Sequence, residues 1–283
     1  MSFDLSAVGT STKPYSMTYD WKTVATYALG IGAKKDELEY LFEGHKNGMK
    51  VYPTFGVVPA YEAIVELLGR SKTNMAMVVH GGQTVIAHKP IPSHGTFETI
   101  GTLKAIYDLK KFGQVILETS TSMKGEKLFD TTWSIIVRGA GGFDGPRPPS
   151  DGEDEPSVPK DRAADFTFEE ATSPEQALLY RIAGDVNPLH ADPEFAAAVG
   201  FPQGPILHGL ATYGFAARAI IKNAAGGDAT KLKRFTAQFR KPVWPGDTIV
   251  TQGWKVGDGK LAVLATAKGR PDPVLANAWA IVG

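Results

Sequence analysis

The same order of predicted elements occurs twice in this chain, and this repetition constrains its fold more than any other feature. In each half, an apolar helix precedes three strand-like segments joined by glycine-containing turns. The predicted helix and strands are 59–68, 97–107, 114–123 and 128–137 in the first half, and 210–225, 248–256, 261–268 and 274–282 in the second. Because both order and spacing agree, we interpret the pattern as an internal duplication.

A polar segment separates the two halves. Residues 144–162 read DGPRPPSDGEDEPSVPKDR, with five prolines, six acidic residues and no aromatic residue. Such a segment cannot bury apolar surface, and its prolines favour an extended backbone. We therefore predict an N-terminal repeat over 1–143, an exposed linker over 144–162 and a C-terminal repeat over 163–283.

Each predicted antiparallel sheet needs a cover for its apolar face, and a single helix in each half can supply it. The predicted helix at 210–225 is apolar on nearly all sides, which is typical of a helix wrapped by a sheet. The pattern therefore predicts an α+β fold built from two repeats, each a helix plus an antiparallel sheet.

The composition excludes several classes of function. Thirty basic and thirty acidic side chains give a net charge of zero, so we expect no nucleic-acid partner. The absence of cysteine excludes disulfides, thiolate metal sites and cysteine nucleophiles. The longest apolar helical stretch, 210–221, is too short to cross a bilayer and contains Arg218, so we expect no membrane insertion.

The run Gly184-Asp185-Val186-Asn187-Pro188-Leu189-His190 carries the strongest chemical signal. Gly184 ends a predicted helix, and Pro188 keeps Asn187 out of the helical conformation. Asp185, Asn187 and His190 therefore share one tight loop between two helix ends. A carboxylate and an imidazole beside one water molecule can take up one proton and deliver another. We expect Asp185 to be ionised and His190 to be able to donate.

A second run, Pro205-Ile206-Leu207-His208-Gly209-Leu210, leads into the apolar helix. Gly209 lies at the helix start, where its N–H is an unpaired donor suited to a developing oxyanion. We expect His208 to be structural, with a hydrogen bond to a loop carbonyl. Asp185 alone could be a turn residue and His190 a satisfied loop histidine, but together the two runs favour catalysis.

Both runs resemble the signature of the (R)-specific 2-enoyl-CoA hydratases, the hydratase 2 or MaoC-like family, and in particular the hydratase 2 regions of the peroxisomal multifunctional enzymes type 2. The resemblance extends to Pro53-Thr54-Phe55-Gly56, His80-Gly81-Gly82 and Lys241-Pro242-Val243-Trp244-Pro245-Gly246. It implies a double hot-dog fold, which agrees with the duplication inferred from the strand pattern.

The resemblance also implies a role for each matching residue. Asp185 and His190 match the catalytic pair, Asn187 matches a residue that holds the reacting water, and Gly209 matches the oxyanion-hole glycine. Residues expected to line the acyl-CoA site are His80, Gly81, Lys110 and Phe239. Glu43 matches a first-half acid linked to activity in relatives, with a structural role as the alternative. The resemblance implies no metal, no organic cofactor and a homodimer.

The implied activity is the hydration of trans-2-enoyl-CoA to (3R)-3-hydroxyacyl-CoA in fatty-acid β-oxidation. The alternatives are dehydration of a 3-hydroxyacyl thioester in synthesis, a hot-dog acyl-CoA thioesterase and a non-catalytic acyl-CoA binder. The first half has no second copy of the Gly-Asp-x-Asn-Pro-x-His run, so we expect it to cover the acyl tail without catalysing the reaction. Acyl chain length stays open, as does the compartment, a bacterial cytoplasm or a peroxisomal matrix.

Overall fold

The computed structural model describes residues 3–149 and 155–283. Residues 150–154 of the predicted linker lie outside the described residues. The rest of that segment, 144–149 and 155–162, contains neither helix nor strand, as its composition predicts. Among the described residues, no helix has the length and hydropathy needed to span a membrane.

Within these two ranges the chain forms ten β-strands and five α-helices. In chain order they are β1 Tyr15–Tyr19, α1 Trp21–Gly30, α2 Tyr61–Arg70, β2 Val78–Ala87, β3 Gly95–Asp108, β4 Phe112–Met123, β5 Glu126–Arg138, β6 Phe166–Ala171, α3 Gln176–Ala183, α4 Pro193–Ala198, α5 Gly209–Ala224, β7 Leu232–Phe239, β8 Thr248–Gly257, β9 Lys260–Ala267 and β10 Pro273–Val282. The short 3-10 helix Pro53–Val57 lies before α2, and the short 3-10 helix Pro188–His190 lies between α3 and α4.

All ten strands belong to one antiparallel sheet in the order β1-β3-β4-β5-β2-β7-β10-β9-β8-β6. Counting outwards from the central β2–β7 pair, β2 corresponds to β7, β5 to β10, β4 to β9, β3 to β8 and β1 to β6. The two halves therefore have the same topology about a central joint, where five residue pairs run from Gly82 opposite Gln238 to Ile86 opposite Arg234. This symmetry confirms the predicted duplication.

The central helix of the second repeat, α5, is the most buried helix of the two repeats. Every residue from Leu210 to Ile221 is buried, because β6, β7, β8 and β10 all pack around it. Gly226 follows the helix with a φ of +63°, a left-handed conformation that glycine adopts without strain. A helix wrapped by its sheet in each repeat is the expected double hot-dog arrangement.

A buried ionic cluster joins the two repeats. Arg218 on α5 is fully buried and donates to Glu37 (Nε to Oε1, 3.1 Å), to Glu170 on β6 (Nη1 to Oε2, 2.7 Å) and to the Ile31 carbonyl oxygen (3.0 Å). Tyr52 donates a further hydrogen bond to Glu37 Oε1 (2.7 Å). Burial raises the pKa of Glu37, but the hydrogen bonds and charge of Arg218 outweigh it and lower the value to about 2. The ionised cluster therefore fixes α5 against the first repeat.

Candidate active site

The loop that follows α3, residues 184–190, is ordered by its own side chains; we call it the Asp-Asn-His loop. The N–H of Asn187 donates to Asp185 Oδ1 (3.0 Å), and the N–H of Leu189 donates to Asn187 Oδ1 (3.0 Å). Asn187 thereby caps the 3-10 helix Pro188–His190, whose first residue is proline. One oxygen of the Asp185 carboxylate therefore accepts a hydrogen bond within the loop, whereas the Asn187 amide nitrogen donates none of the hydrogen bonds described there.

The tautomer of His190 follows from its hydrogen bond. Its Nδ1 lies 2.8 Å from the Ile206 carbonyl oxygen, which can only accept, so Nδ1 carries the hydrogen and Nε2 of the neutral ring keeps its lone pair. Burial lowers the pKa of His190, although the Ile206 carbonyl and the Asp185 charge act against this shift. His190 is therefore arranged to accept a proton at Nε2 before it can donate one.

Asp185, His190 and His208 come together at the end of the loop. One carboxylate oxygen and one ring nitrogen from each histidine all lie within 4.8 Å of one another. Among the described hydrogen bonds, none joins the Asp185 carboxylate to either ring. Two hydrogen bonds of about 2.8 Å that meet at one water molecule span roughly 4 to 5 Å. The spacing therefore suits a single water held between Asp185 and His190.

The same three residue types can bind metals, but their orientation does not suit one. The rings of His190 and His208 are stacked, with centroids 3.6 Å apart and planes inclined by 25°. A nitrogen lone pair lies in the plane of its ring, so the two lone pairs lie in separate, nearly parallel planes, which does not favour one ion bound by both at about 2.1 Å. The absence of a metal stays a prediction, and this geometry supports it.

Gly209 is the first residue of α5, so its N–H has no partner within the helix and lies at the positive end of the helix dipole. The ring of Phe239 packs directly over it. A Cβ at this position would lie 3.2 Å from Phe239 Cδ1, so a larger side chain would press against the ring. Because Gly209 has no side chain, the Phe239 ring can pack directly against the start of α5.

Phe239 also packs against the first repeat. The ring of His80 tilts against Phe239 with centroids 4.7 Å apart, and it stacks on Trp133 at 4.9 Å. Burial lowers the pKa of His80 to about 4, so the ring is neutral at pH 7. Gly81 lies in a bulge of β2 where a Cβ would approach Ile136 Cγ1 to 2.7 Å. The site therefore lies at the joint of the repeats, where β2 begins and β7 ends.

The structure does not bring all predicted residues to this point. Lys110 is exposed in the turn between β3 and β4, with a φ of +68°, and its N–H donates to Asp108 Oδ1 (2.8 Å). That turn is at the same sheet end as His80 but two strands away, roughly 10 Å across the sheet, and it lies further along the strand direction than the residue level with His80. Glu43 is exposed and forms no hydrogen bond or ion pair within the described ranges, and the buried acid of this region is Glu37. The roles of Lys110 and Glu43 stay predictions.

Two further residues reach the site without having been predicted to do so. Trp133 supplies the surface on which His80 stacks, and no local pattern distinguishes it from the matching Trp279 in the second repeat. Burial raises the pKa of Tyr61, at the start of α2, and the charge of Asp185 adds to this shift. The first repeat thus places a phenol near the Asp-Asn-His loop.

The predicted bond from His208 to a loop carbonyl is confirmed, because Nε2 donates to the Asp185 carbonyl oxygen (2.9 Å).

Two repeats that each wrap a helix, with one polar loop at their joint, define a double hot-dog protein. The family model described as a MaoC like domain matches residues 157–270, and the MFE-2 hydratase 2 N-terminal domain matches residues 17–139. The chain belongs to the hydratase 2 family of MaoC-like proteins.

The relatives cover the chain almost completely. It is 36% identical to a probable enoyl-CoA hydratase 2 of Dictyostelium discoideum, over 95% of this chain and 93% of the relative. It is also 36% identical to peroxisomal multifunctional enzyme type 2 of Mus musculus, over 97% of this chain and 38% of that longer protein. The crystal structure of a MaoC-like dehydratase from Phytophthora capsici is similar with a TM-score of 0.86 and 30% identity, over 99% of this chain and 97% of that one.

Proposed function

We propose that this protein hydrates trans-2-enoyl-CoA to (3R)-3-hydroxyacyl-CoA in fatty-acid β-oxidation. The carrying observation is the spacing of the Asp185 carboxylate and the His190 ring, within 4.8 Å and without a direct hydrogen bond. This gap suits one reacting water, and the free N–H of Gly209 lies at the start of the adjacent helix. The family relationship supports the same reaction, since the relative from Dictyostelium discoideum is named an enoyl-CoA hydratase 2.

In the proposed reaction, the water oxygen bonds to C3 of the enoyl group while one water proton passes to Nε2 of His190. The electrons of the double bond move towards the thioester, and the Gly209 N–H stabilises the negative charge on its oxygen. The His190 imidazolium then returns the proton to C2, which completes the addition of one water. The carboxylate of Asp185 orients the water and stabilises the transient imidazolium, and the Asn187 amide gives the water a second contact.

The acyl-CoA would lie along the joint of the two repeats. The rings of His80 and Phe239 form an apolar wall beside Gly209. The backbone of β2 has a bulge at Gly81, directly after His80. Both histidine and phenylalanine are uncharged there, which suits a thioester and the first carbons of its chain. Lys110, at the same end of the sheet, is available to the phosphates of coenzyme A.

The domain roles are part of the same proposal. The C-terminal repeat, 163–283, carries the reacting groups, and the N-terminal repeat, 1–143, covers the acyl chain. Residues 144–162 connect them as a linker. We also propose a homodimer. Light scattering during size-exclusion chromatography measures the mass directly, and a mass of one chain across the micromolar range would contradict the dimer.

Dehydration of a 3-hydroxyacyl thioester is the second candidate, because it is the reverse of the same step and uses the same residues. The name of the similar Phytophthora capsici protein, a dehydratase, favours keeping it. The two directions are distinguished by comparing rates on acyl-CoA and acyl-carrier-protein substrates. A thioesterase would leave the Asp-Asn-His loop without a use, and a simple binder would not need its two proton-handling groups.

The decisive experiment follows the hydration of trans-2-decenoyl-CoA by the loss of enoyl-thioester absorbance, with chiral analysis of the product. Asp185→Ala and His190→Ala are expected to abolish formation of the 3R product. Glu194→Gln and His45→Ala change an exposed carboxylate and a partly exposed imidazole outside the site and serve as matched controls. Release of free CoA would instead identify a thioesterase, and tight binding without turnover would identify a binding module.

A further inference from the structure

His208 contacts Asp185 and His190 and directly precedes Gly209, three residues of the proposed catalytic site. Its Nε2 donates to the main-chain carbonyl of Asp185 (2.9 Å), and its ring stacks on His190 with centroids 3.6 Å apart. Its own backbone precedes Gly209 and caps α5, since the Thr212 N–H donates to the His208 carbonyl oxygen (3.1 Å). The side chain of His208 therefore contacts the main chain of Asp185 and the ring of His190, and its backbone leads into the proposed oxyanion donor, Gly209.

The segment before His208 holds the ring of His190, the second member of the proposed catalytic pair. Ile206, two residues earlier, accepts the hydrogen bond from His190 Nδ1 (2.8 Å). Leu207 lies between them, and its N–H donates to the Val243 carbonyl oxygen (2.7 Å), which fixes this segment to the loop between β7 and β8. The segment 206–209 therefore fixes His190 by one carbonyl, Asp185 by one ring nitrogen and the substrate oxygen by one N–H.

The bond to Asp185 is the polar contact that orients the His208 ring. The residue is 1% exposed, and its Nδ1 has no hydrogen-bond partner in the described part of the chain. Because a carbonyl only accepts, Nε2 must carry the hydrogen, so the ring has one fixed tautomer. Its neutral state is secured by burial and by the neighbouring His190, which lower its pKa to about 2.

We propose that His208 is a positioning residue that holds the Asp185 carboxylate at the distance from His190 that one water requires. This inference rests on the proposed hydratase function. His208 does not exchange protons itself, because its Nε2–H is bound to the Asp185 carbonyl oxygen and burial favours the neutral ring. It acts through the main chain at Asp185, so its loss changes the turnover of bound substrate more than the binding of substrate.

Two amide side chains separate this role from simple packing. In His208→Gln the amide can reach the place of Nε2 and donate to the Asp185 carbonyl, whereas in His208→Asn it is too short. His208→Leu fills space without any donor. Thr212→Val, one turn further along α5, is the matched control, since it alters a buried contact to the His208 carbonyl but not the bond to Asp185.

Steady-state kinetics on trans-2-decenoyl-CoA provide the first readout. We expect kcat to fall about 100-fold in His208→Leu and His208→Asn, as for a misplaced reacting group, with KM nearly unchanged. His208→Gln should recover most of the lost kcat, and Thr212→Val should resemble the wild type. Equal losses in the Gln and Leu variants would overturn the proposal, as would full activity in all three.

Amide hydrogen exchange provides a second readout that does not depend on the reaction. The N–H groups of Asn187 and His190 should lose protection in His208→Leu and His208→Asn but keep it in His208→Gln. Unchanged protection in all variants would contradict the positioning role. A wild type that orders this loop through His208 yet does not hydrate enoyl-CoA would refute the proposed function alone.

Discussion

The two repeats have the same strand order, but they use the segment before the central helix in opposite ways. In the second repeat this segment carries Ile206, His208 and Gly209, and α5 then runs for 16 residues. In the first repeat the corresponding segment is the 3-10 helix Pro53–Val57, entirely buried, and α2 has only ten residues. In the first repeat, buried side chains occupy this position. In the second repeat, the same position carries the polar groups of the candidate site.

The filling is aromatic. Phe55 is fully buried and packs against Tyr19, Tyr27 and Phe97, with ring centroids between 5.4 and 6.3 Å apart. Such contacts are apolar and add to stability through area and edge-to-face packing. The comparison teaches that sheet pairing constrains both copies equally, whereas the segment entering the helix is free to become either core or catalytic surface.

The largest expected effect comes from breaking the connection between the repeats. Arg218→Met leaves the buried Glu170 without its cation and leaves Glu37 with only the Lys222 ammonium (Nζ to Oε2, 3.3 Å), and we expect a loss of about 3–5 kcal/mol in the free energy of unfolding. Urea denaturation measures it, and Lys268→Gln at the exposed pair with Glu169 is the control, with less than about 1 kcal/mol expected. An equally small loss for Arg218→Met would mean that the buried ionic cluster contributes little to holding the repeats together.

The next effect makes the second repeat resemble the filled first repeat. Gly209→Val should press into Phe239, shift the start of α5 and lower kcat by about 100-fold, comparable to the loss of one oxyanion-hole donor. Adding Phe239→Ala makes room for the new side chain and should restore part of kcat. If the double variant is no better than Gly209→Val, the loss has another cause than this contact.

The site histidines should also make the protein less stable in acid. Burial lowers the pKa of His80 to about 4, and burial together with His190 lowers that of His208 to about 2. The unfolded chain therefore binds protons that the folded chain does not, and stability falls as the pH drops through about 6.5. We expect a loss of about 0.7 kcal/mol for each of these two histidines between pH 7 and pH 6.

Urea midpoints at several pH values test this dependence. His80→Phe should flatten the pH profile of stability, whereas Thr212→Val, which removes no titratable group, should leave its slope unchanged. The lowered pKa of His190 has a parallel consequence for catalysis, because in the proposed reaction the neutral ring accepts the proton. The acid limb of kcat/KM is therefore expected below pH 6.5, and a limb above that value would contradict the proposed role of Nε2.

The smallest effect concerns the chemistry that the first repeat contributes. Tyr61→Phe removes the phenol near Asp185, and we expect kcat to change by less than about tenfold, since the phenol is neutral and no described hydrogen bond joins it to the carboxylate. Tyr15→Phe, which removes a bond to Glu66 on the same repeat, is the control for stability. A loss as large as that of Asp185→Ala would assign catalysis to both repeats.

Local sequence signals were sufficient for the three-strand meander and the central helix of each repeat and for one loop, whereas the edge strands β1 and β6 and the helix α1 were not predicted. The meander strands β3, β4, β5, β8, β9 and β10 and the helices α2 and α5 appear within a few residues of their predicted positions. The strands β2 and β7, which join the repeats, were not predicted. Gly81 and Gly82 weaken the strand pattern of β2, and the Lys231–Arg234 run of β7 suggests a solvated basic surface.

Local patterns specify the duplication and the Asp-Asn-His loop, because alternating strands, caps and prolines act on residues close together in the chain. How these parts meet depends on contacts between distant segments. The His80, Phe239 and Gly209 wall, the stacked His190 and His208 rings and the Arg218–Glu37 pair join residues up to 181 positions apart. Their geometry depends on which strands pair and which side chains lose water, and no local pattern records either.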